Sequence, residues 1–381
     1  MNTQSYDTVI IGGGAAGVAA AVGASKTGNS VLLLEKSVQL GGLATGAEVG
    51  TICGLYLNSN NDSFQFNVDE FTENFSKDIG QLSHTKPIVN SANLKFLPYS
   101  IEAFRNHCET ILDEKSVSYN FDCEVVGVVS LGTEITSLKY IQSGIEQNVN
   151  VKKVVDASGG SVVSRLLGEE LIEPLFSQKI TQIFTIYDLN FSSEQNLTLV
   201  LLMHAKKNND ADLSIVPGSY SSNKVSLRLN FKSELSAEKA KNNVKHVFAQ
   251  LKSSIIGFKN AELFSVAPQI GLRIGTRPVG KYTLTKEDVL SCRKFDNSVA
   301  NGNWPIEQWD SEKGLILEKL KENDFYQIPR ACLESKNFSN LFFAGRNISA
   351  TDDAIASARV IGTCLQTGYA AGQLSQKNIT S

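Results

Sequence analysis

The stretch from Thr8 to Glu35 constrains this chain more than any other. Thr8-Val9-Ile10-Ile11 is a short apolar, β-branched run, and Gly12-Gly13-Gly14-Ala15-Ala16-Gly17 follows it at once. An Ala-rich segment with helical character (Val18 to Lys26) comes next, then a Gly28-Asn29 turn and a second run, Ser30 to Leu34, that ends in Glu35. A strand, Gly-x-Gly-x-x-Gly, a helix, a strand and an acid, in that order, form the setting in which such glycines bind a dinucleotide. Gly12 permits the tight turn, Gly14 lets the backbone approach a pyrophosphate, and Gly17 lets the helix lie close on the sheet. The helix N-terminus offers unpaired N–H groups and a partial positive charge to the phosphates. Glu35 stands where a carboxylate can accept from both ribose hydroxyls. The segment alone does not separate FAD from NAD.

Composition narrows the partners. At 381 residues two interleaved domains are expected, and 42% hydrophobic with 20% charged residues describes an ordinary globular chain. A net charge of −3 and the lack of a Lys/Arg run argue against nucleic acid. The longest apolar stretch, Leu197 to Ala205, is too short to cross a membrane, which takes about 20 residues. Met1 to Asp7 has no basic-then-apolar leader pattern, and six scattered cysteines without Cys-x-x-Cys speak against zinc or a redox dithiol. A cytoplasmic protein without a metal site is the expectation.

Further motifs carry a family resemblance. Gly41-Gly42-Leu43-Ala44-Thr45, shortly after the second strand, resembles the Gly-Gly-x-x-Ser/Thr continuation of FAD enzymes with the glutathione-reductase type of fold. Val154-Val155-Asp156-Ala157-Ser158-Gly159-Gly160, after a small antiparallel meander, is similar to the segment that passes under the adenine side of FAD there. The Arg273-x-x-x-Arg277 spacing, followed by Val279-Gly280-x-Tyr282-x-Leu284-Thr285-x-x-Asp288-Val289, resembles the FAD-dependent oxidoreductases described as xanthan-lyase-related. Asn303-Trp304-Pro305-Ile306, Tyr326 to Leu333 and Asn340 to Thr351 continue the match, which covers nearly the whole chain except about 170–265. The resemblance implies FAD, held by Gly12, Gly14, Ala15, Ala16, Gly17, Glu35, Lys36, Gly42, Leu43, Ala44, Thr45, Val125, Ala157, Ser158, Gly159, Gly345, Arg346, Gly362 and Thr363. Arg346 departs from the acid that many relatives carry after Ala-Gly to bind the ribityl chain. The disulfide-reductase branch needs two cysteines after the Gly pair, and only Cys53 is present.

The implied fold is α/β: a discontinuous Rossmann-like FAD-binding domain (1–54, 98–166 and 325–381) and an inserted α+β substrate domain (55–97 and 167–324). Periodicity predicts helices near Asp69–Lys77, over Tyr99–Lys115 with Ser100 as N-cap, and over Ser236–Ser253. Strands are predicted at Val117–Val129, Ile135–Ile141, Val149–Val155, Ile180–Tyr187, Leu197–Met203 and Val225–Phe231.

A flavin does redox work itself, so the protein must place a substrate and stabilise charge at the ring. The turn Gly362-Thr363-Cys364 opening the last helix is the candidate for that charge. Arg273, Arg277, Arg346 and Arg359 offer guanidinium groups that either clamp an acidic substrate or form buried ion pairs and pyrophosphate contacts. Tyr282 and Tyr326 either orient a substrate or belong to the core; Arg273, Arg277, Tyr282 and Arg359 are the catalytic candidates. Ser158 either contacts the adenine side or holds a turn. Cys53 is either near the flavin, even an attachment point, or a small buried hydrophobe. His84 and His204 are candidate bases.

The expected activity passes electrons between an organic substrate and flavin N5, with oxygen or another acceptor completing the cycle. An NAD(P)H-dependent monooxygenase, one that modifies a partner-protein side chain included, is the enzymatic alternative. A non-catalytic flavin-bearing binding protein is the alternative of another class.

Overall fold

Strand Gln4–Ile11 ends in four buried residues, Thr8 to Ile11, so it needs cover on both faces and takes the middle of a parallel sheet. The computed structural model describes residues 4–26, 28–59, 63–90, 92–175, 180–208, 212–221, 223–231, 235–310 and 314–376. Met1 to Thr3, in the segment read as leaderless, and Asn60 to Asp62, in a polar loop, lie outside them. Among the described residues one sheet has seven strands. Six run in the order Ser118–Asn120, Val31–Leu34, Gln4–Ile11, Ile145–Asp156, Glu134–Gln142, Cys123–Leu131. The first four are mutually parallel. The seventh, Leu341–Phe343, pairs in parallel with Val154–Asp156, where the hairpin strand Glu134–Gln142 has peeled away.

The pleat sends alternate residues to opposite faces. Ile10, Leu33, Val155 and Phe342 lie under helices, while Val9, Ile11, Leu32, Leu34 and Val154 face the returning meander through Val125, Leu138 and Tyr140. The fingerprint helix, Ala15–Ser25, and the closing helix, Ile361–Ser375, pack with almost no side chain between them. A Cβ on Gly368 would lie 2.1 Å from the carbonyl of Ala16, and one on Gly372 2.0 Å from that of Ala20. These contacts advance together along both chains, so the helices run parallel. At 1.5 Å per residue the closing helix begins about 9 Å beyond the start of the fingerprint helix.

Helices Glu70–Leu82 and Ile101–Glu114 appear where periodicity predicted them, capped by Asp69 and Ser100. The main core cluster includes Phe75 and Ile79, and also Leu284, Ile306 and Tyr326, so apolar packing crosses the expected boundaries at 55–97 and 167–324.

A second sheet, Asp212–Ile215, Lys224–Phe231, Ile180–Tyr187, Glu262–Val266 in that order, is antiparallel. Helices Glu194–Asn208 and Ala237–Ser254 cover one face by packing on Phe184, Ile186, Val225, Leu227 and Leu229. Leu197–Met203, expected as a strand, is therefore part of a helix. Leu197 and Leu201 face the core at helical spacing, while Leu199, Leu202 and Met203 are exposed apolar residues that hid the period. The opposite face carries Thr181, Thr185, Ser226, Arg228 and Asn230, together with Ile183, which is buried against Val216 and Ala267.

Candidate active site

Two glycine loops meet at the C-terminal end of the parallel strands. Gly12 adopts φ +96°, and a Cβ there would lie 2.7 Å from the carbonyl of Ala157, which passes beneath it ahead of Ser158 and Gly159. Gly41 donates its N–H to Gly13 O at 2.8 Å, and Gly42 at φ +53° has its Cα face against Gly14. Ala15, Ala16 and Gly17 open the fingerprint helix, whose N-cap, Gly14, has no side-chain cap. Glu35 is buried and accepts from the N–H groups of Gly13 and of Ser37, the latter at 2.7 Å. Leu43 and Ala44 begin a short turn held by Tyr99, whose hydroxyl donates to Ala44 O at 2.8 Å. Thr45 is buried and donates to Leu40 O at 2.6 Å, so its hydroxyl proton is committed to the loop.

The closing helix brings a second open N-terminus. Its N-cap, Val360, supplies no side-chain hydrogen bond. Thr363 is completely buried, and among the described residues its Oγ1 has no hydrogen-bond partner. Gly362 fits only because it lacks a Cβ, which would lie 2.7 Å from Cys53 O. Gly345 donates its N–H to Thr367 Oγ1 at 3.1 Å and so ties the strand-end Ala344-Gly345 to the same helix. A buried polar atom without a partner is rare, and here it lies beside uncapped N–H groups.

In front of that helix end lies a cluster of charge. Arg359, just before the helix, approaches Glu307 through Nη2 at 3.6 Å, and among the described residues neither that nitrogen nor the buried Nε has a hydrogen-bond partner. Arg228 comes from the polar face of the four-stranded sheet, and Arg273 donates to Asn230 on the same strand at 3.4 Å. Burial alone would raise the Glu307 pKa, but Arg359, Arg273 and Arg228 together hold the carboxyl below its usual range. Burial, followed by the charge of Arg359, pushes the Arg273 guanidinium down to about 9. Arg228 is lowered by burial as well. Arg228 and Glu307 were not among the residues expected from sequence.

Other expected residues lie elsewhere. Arg277 is fully buried and donates to Ala350 O at 2.8 Å, to Gly275 O at 2.7 Å and to Asp352. This is the ion-pair alternative, with no face left for a substrate. Tyr282 donates to Asp288 at 2.8 Å in a capping box beside Arg293, apart from the charge cluster. Arg346 donates to Leu272 O at 2.6 Å and lies against Gly159. Ser158 Oγ accepts from Asn347 at 3.2 Å and from Val162 N at 3.3 Å, in the manner of a turn residue. Val125 belongs to the core, and Lys36 is exposed. Tyr326 is buried, with its hydroxyl on Ser357 at 2.8 Å. His84 is exposed, and His204 is buried in helix Glu194–Asn208, the layer on the sheet's apolar side.

Burial, reinforced by Glu307, pushes the Cys53 thiol up to about 12. A neutral thiol is a poor nucleophile. Acid precipitation of the holoprotein should therefore release all its flavin to the supernatant; yellow colour retained in the pellet would contradict this.

Similarity to other proteins agrees with the geometry. The chain matches the family model described as FAD dependent oxidoreductase over residues 7–234 and 177–380. No curated protein matches it in sequence. A geranylgeranyl bacteriochlorophyll reductase-like protein from Thermoplasma acidophilum shares the fold with a TM-score of 0.51 at 13% identity, over 98% of this chain and 78% of its own. The aromatic hydroxylase CabE from angucycline biosynthesis aligns with a TM-score of 0.53 at 9% identity, over 97% of this chain and 62% of its own. An anhydrotetracycline hydroxylase from Streptomyces rimosus aligns at 0.50 and 12% identity, with the same two shares, 97% and 62%. Among the described residues no helix is long and apolar enough to cross a membrane, and no group of ligating side chains could hold a metal. With a parallel-sheet fingerprint, two converging helix N-termini and a family model matched along its length, the chain belongs to the FAD dependent oxidoreductase family.

Proposed function

We propose that Gly12, Gly14, Ala15, Ala16 and Gly17 hold the pyrophosphate of FAD, and Glu35 its adenosine ribose. In the same reading Gly42 to Thr45 and Gly345-Arg346 flank its middle, Gly362 and Thr363 receive its ring, and the polar face of the four-stranded sheet presents an organic substrate to that ring. The observation that carries this reading is Thr363 Oγ1, a fully buried hydroxyl without a partner among the described residues, at an uncapped helix N-terminus. Two further features fit the group: the open side of Gly14, where the nearest protein atom to an added Cβ is 3.9 Å away, and the offset of about 9 Å between the two helix starts.

Bound there, FAD supplies two-electron redox chemistry that no side chain of the site has. The chain's own groups set the conditions. The N-terminus of the closing helix favours negative charge in front of Gly362 and Thr363. Glu307, held ionised by three arginines, is a weak base and serves to fix Arg359. Arg228 and Asn230 alternate on one strand with Leu227 and Leu229, so the residues that pack the helix layer also aim the polar ones at the site.

The test is an anaerobic one, in which candidate amines, alcohols and acids are added to the yellow protein without NAD(P)H. Loss of the visible flavin band with one class of substrate is expected. Bleaching that requires NAD(P)H and is hastened by substrate would move the reading to a monooxygenase. Reduction by dithionite alone would contradict both.

A further inference from the structure

A glutamate stands where the backbone suits glycine. Glu48 follows the short helical turn Leu43–Gly46 and its C-cap Ala47, and it takes φ +53°, the left-handed conformation that glycine usually supplies after a helix. Its side chain is half-buried, and among the described residues its carboxyl makes neither a hydrogen bond nor an ion pair. Burial raises its pKa, and Lys224, whose ammonium lies 5.5 Å from the ring centre of Tyr187, is the charged group that acts against that rise. A strained backbone that carries an uncommitted carboxyl marks a residue kept for chemistry rather than for packing.

The chain on either side fixes where Glu48 lies. Gly46 O accepts from Gln269 N at 2.8 Å, and a Cβ on Gly50 would lie 2.9 Å from the side chain of Val216. Val216 packs with Ile183 and Ala267 on the face of the four-stranded sheet turned away from its helices. Beyond Gly50 the chain meets the closing helix. A Cβ on Gly54 would lie 3.3 Å from Thr363 Oγ1, and Cys53 O is 2.7 Å from the Cβ position of Gly362. Glu48 thus stands on the stretch that links the glycine loop at Gly42, the sheet face and the start of the closing helix.

We propose that Glu48 is the proton acceptor of the reaction and faces the cofactor ring from the side of the four-stranded sheet. When an alcohol or an amine is oxidised, its C–H bond and its O–H or N–H bond break, and a C=O or C=N bond forms. The hydrogen on carbon leaves with its electron pair as hydride to FAD, which is reduced, and the O–H or N–H proton goes to the Glu48 carboxylate. A carboxyl that holds its proton more tightly than usual is the stronger base for that step. The proposal rests on the reading of the site as the place where FAD meets substrate, and it adds the group that takes the proton.

The potential of the bound FAD reports on Glu48 directly, because an anion near the ring opposes reduction. In the FAD-loaded protein Glu48→Gln should raise the two-electron midpoint potential by about 30 mV, a tenfold gain in affinity for the reduced over the oxidised cofactor. The difference should be full where the parent's Glu48 is ionised and vanish as the pH falls through its pKa. Apoprotein carrying Glu48→Gly should melt no lower than the parent, because glycine suits the backbone there. With the substrate class that bleaches the flavin, Glu48→Gln should slow anaerobic reduction about a hundredfold, and Glu48→Asp should restore part of the rate. Equal potentials at every pH, or reduction of the glutamine variant at the parent's rate, would overturn the proposal while leaving the FAD reading intact. A Glu48→Gly apoprotein melting several degrees lower would also overturn it, since that marks the side chain as structural. Protein devoid of FAD and unable to take it up would instead sink the underlying reading.

Discussion

Gly14→Ala is expected to give a folded protein that has lost its flavin. At this position φ is −68°, an ordinary value for alanine, and the nearest protein atom to the new methyl group, Gly42 Cα, is 3.9 Å away. The protein itself therefore has room for the substitution, and the cost to folding is about 1 kcal/mol, that of alanine in place of glycine at an N-cap. The space the methyl group enters is the mouth between the two glycine loops, where the proposed placement brings the pyrophosphate against the backbone. FAD affinity should fall by about a hundredfold or more, equivalent to about 2.7 kcal/mol. Equilibrium titration of apoprotein with FAD, alongside thermal melting of the apo form, separates the two effects. An unchanged affinity would contradict this placement of the phosphates. Gly17→Ala is the contrasting case, because its methyl would lie 1.7 Å from the carbonyl of Gly12 and no side-chain movement relieves it. That variant should fail in folding and in flavin content together.

Arg277→Met should destabilise the protein by about 3–5 kcal/mol with little direct effect on substrate affinity. The guanidinium is fully buried, and its departure strands the carboxylate of Asp352, itself only 7% exposed, together with the carbonyls of Gly275 and Ala350. Asp352 also accepts the N–H of Leu175 at 2.6 Å, so its charge has other ties that hold it inside. The double variant with Asp352→Asn should regain a large part of the loss, because the uncompensated charge is gone. Denaturant unfolding of the two single variants and the double variant closes the cycle. A loss below about 1 kcal/mol for Arg277→Met, or no recovery in the double variant, would mean that the pair does not hold the segment as described.

These two outcomes mark where the sequence could be read and where it could not. The dinucleotide loop was legible because its requirements are local. Gly12 at φ +96° and Gly17 against the carbonyl of Gly12 are constraints that only glycine meets, and they sit at fixed spacing between two apolar runs. The N-cap Ser100 was legible for the same reason, because it serves an N–H three residues on. The fate of the arginines depends on partners far along the chain and was not visible locally. Arg273 and Arg277 lie four residues apart, yet one enters the charge cluster and the other is consumed by Asp352. Arg228 had a signal in the alternation of Val225, Leu227 and Leu229 with Ser226, Arg228 and Asn230, which marks a strand with one polar face. Glu307 had none, because its meaning comes from Arg359. Leu197–Met203 misled because exposed and buried leucines filled both sides of one helix.

Uptake of FAD by the apoprotein, compared with FMN and followed by the quenching of flavin fluorescence, bears most directly on the placement of one cofactor between the two helix starts. With Glu35 and the fingerprint helix proposed to address the adenosine half, one FAD per chain is expected, with FMN bound about a hundredfold more weakly or worse. Equal binding of FMN, or saturation at any other stoichiometry, would contradict it.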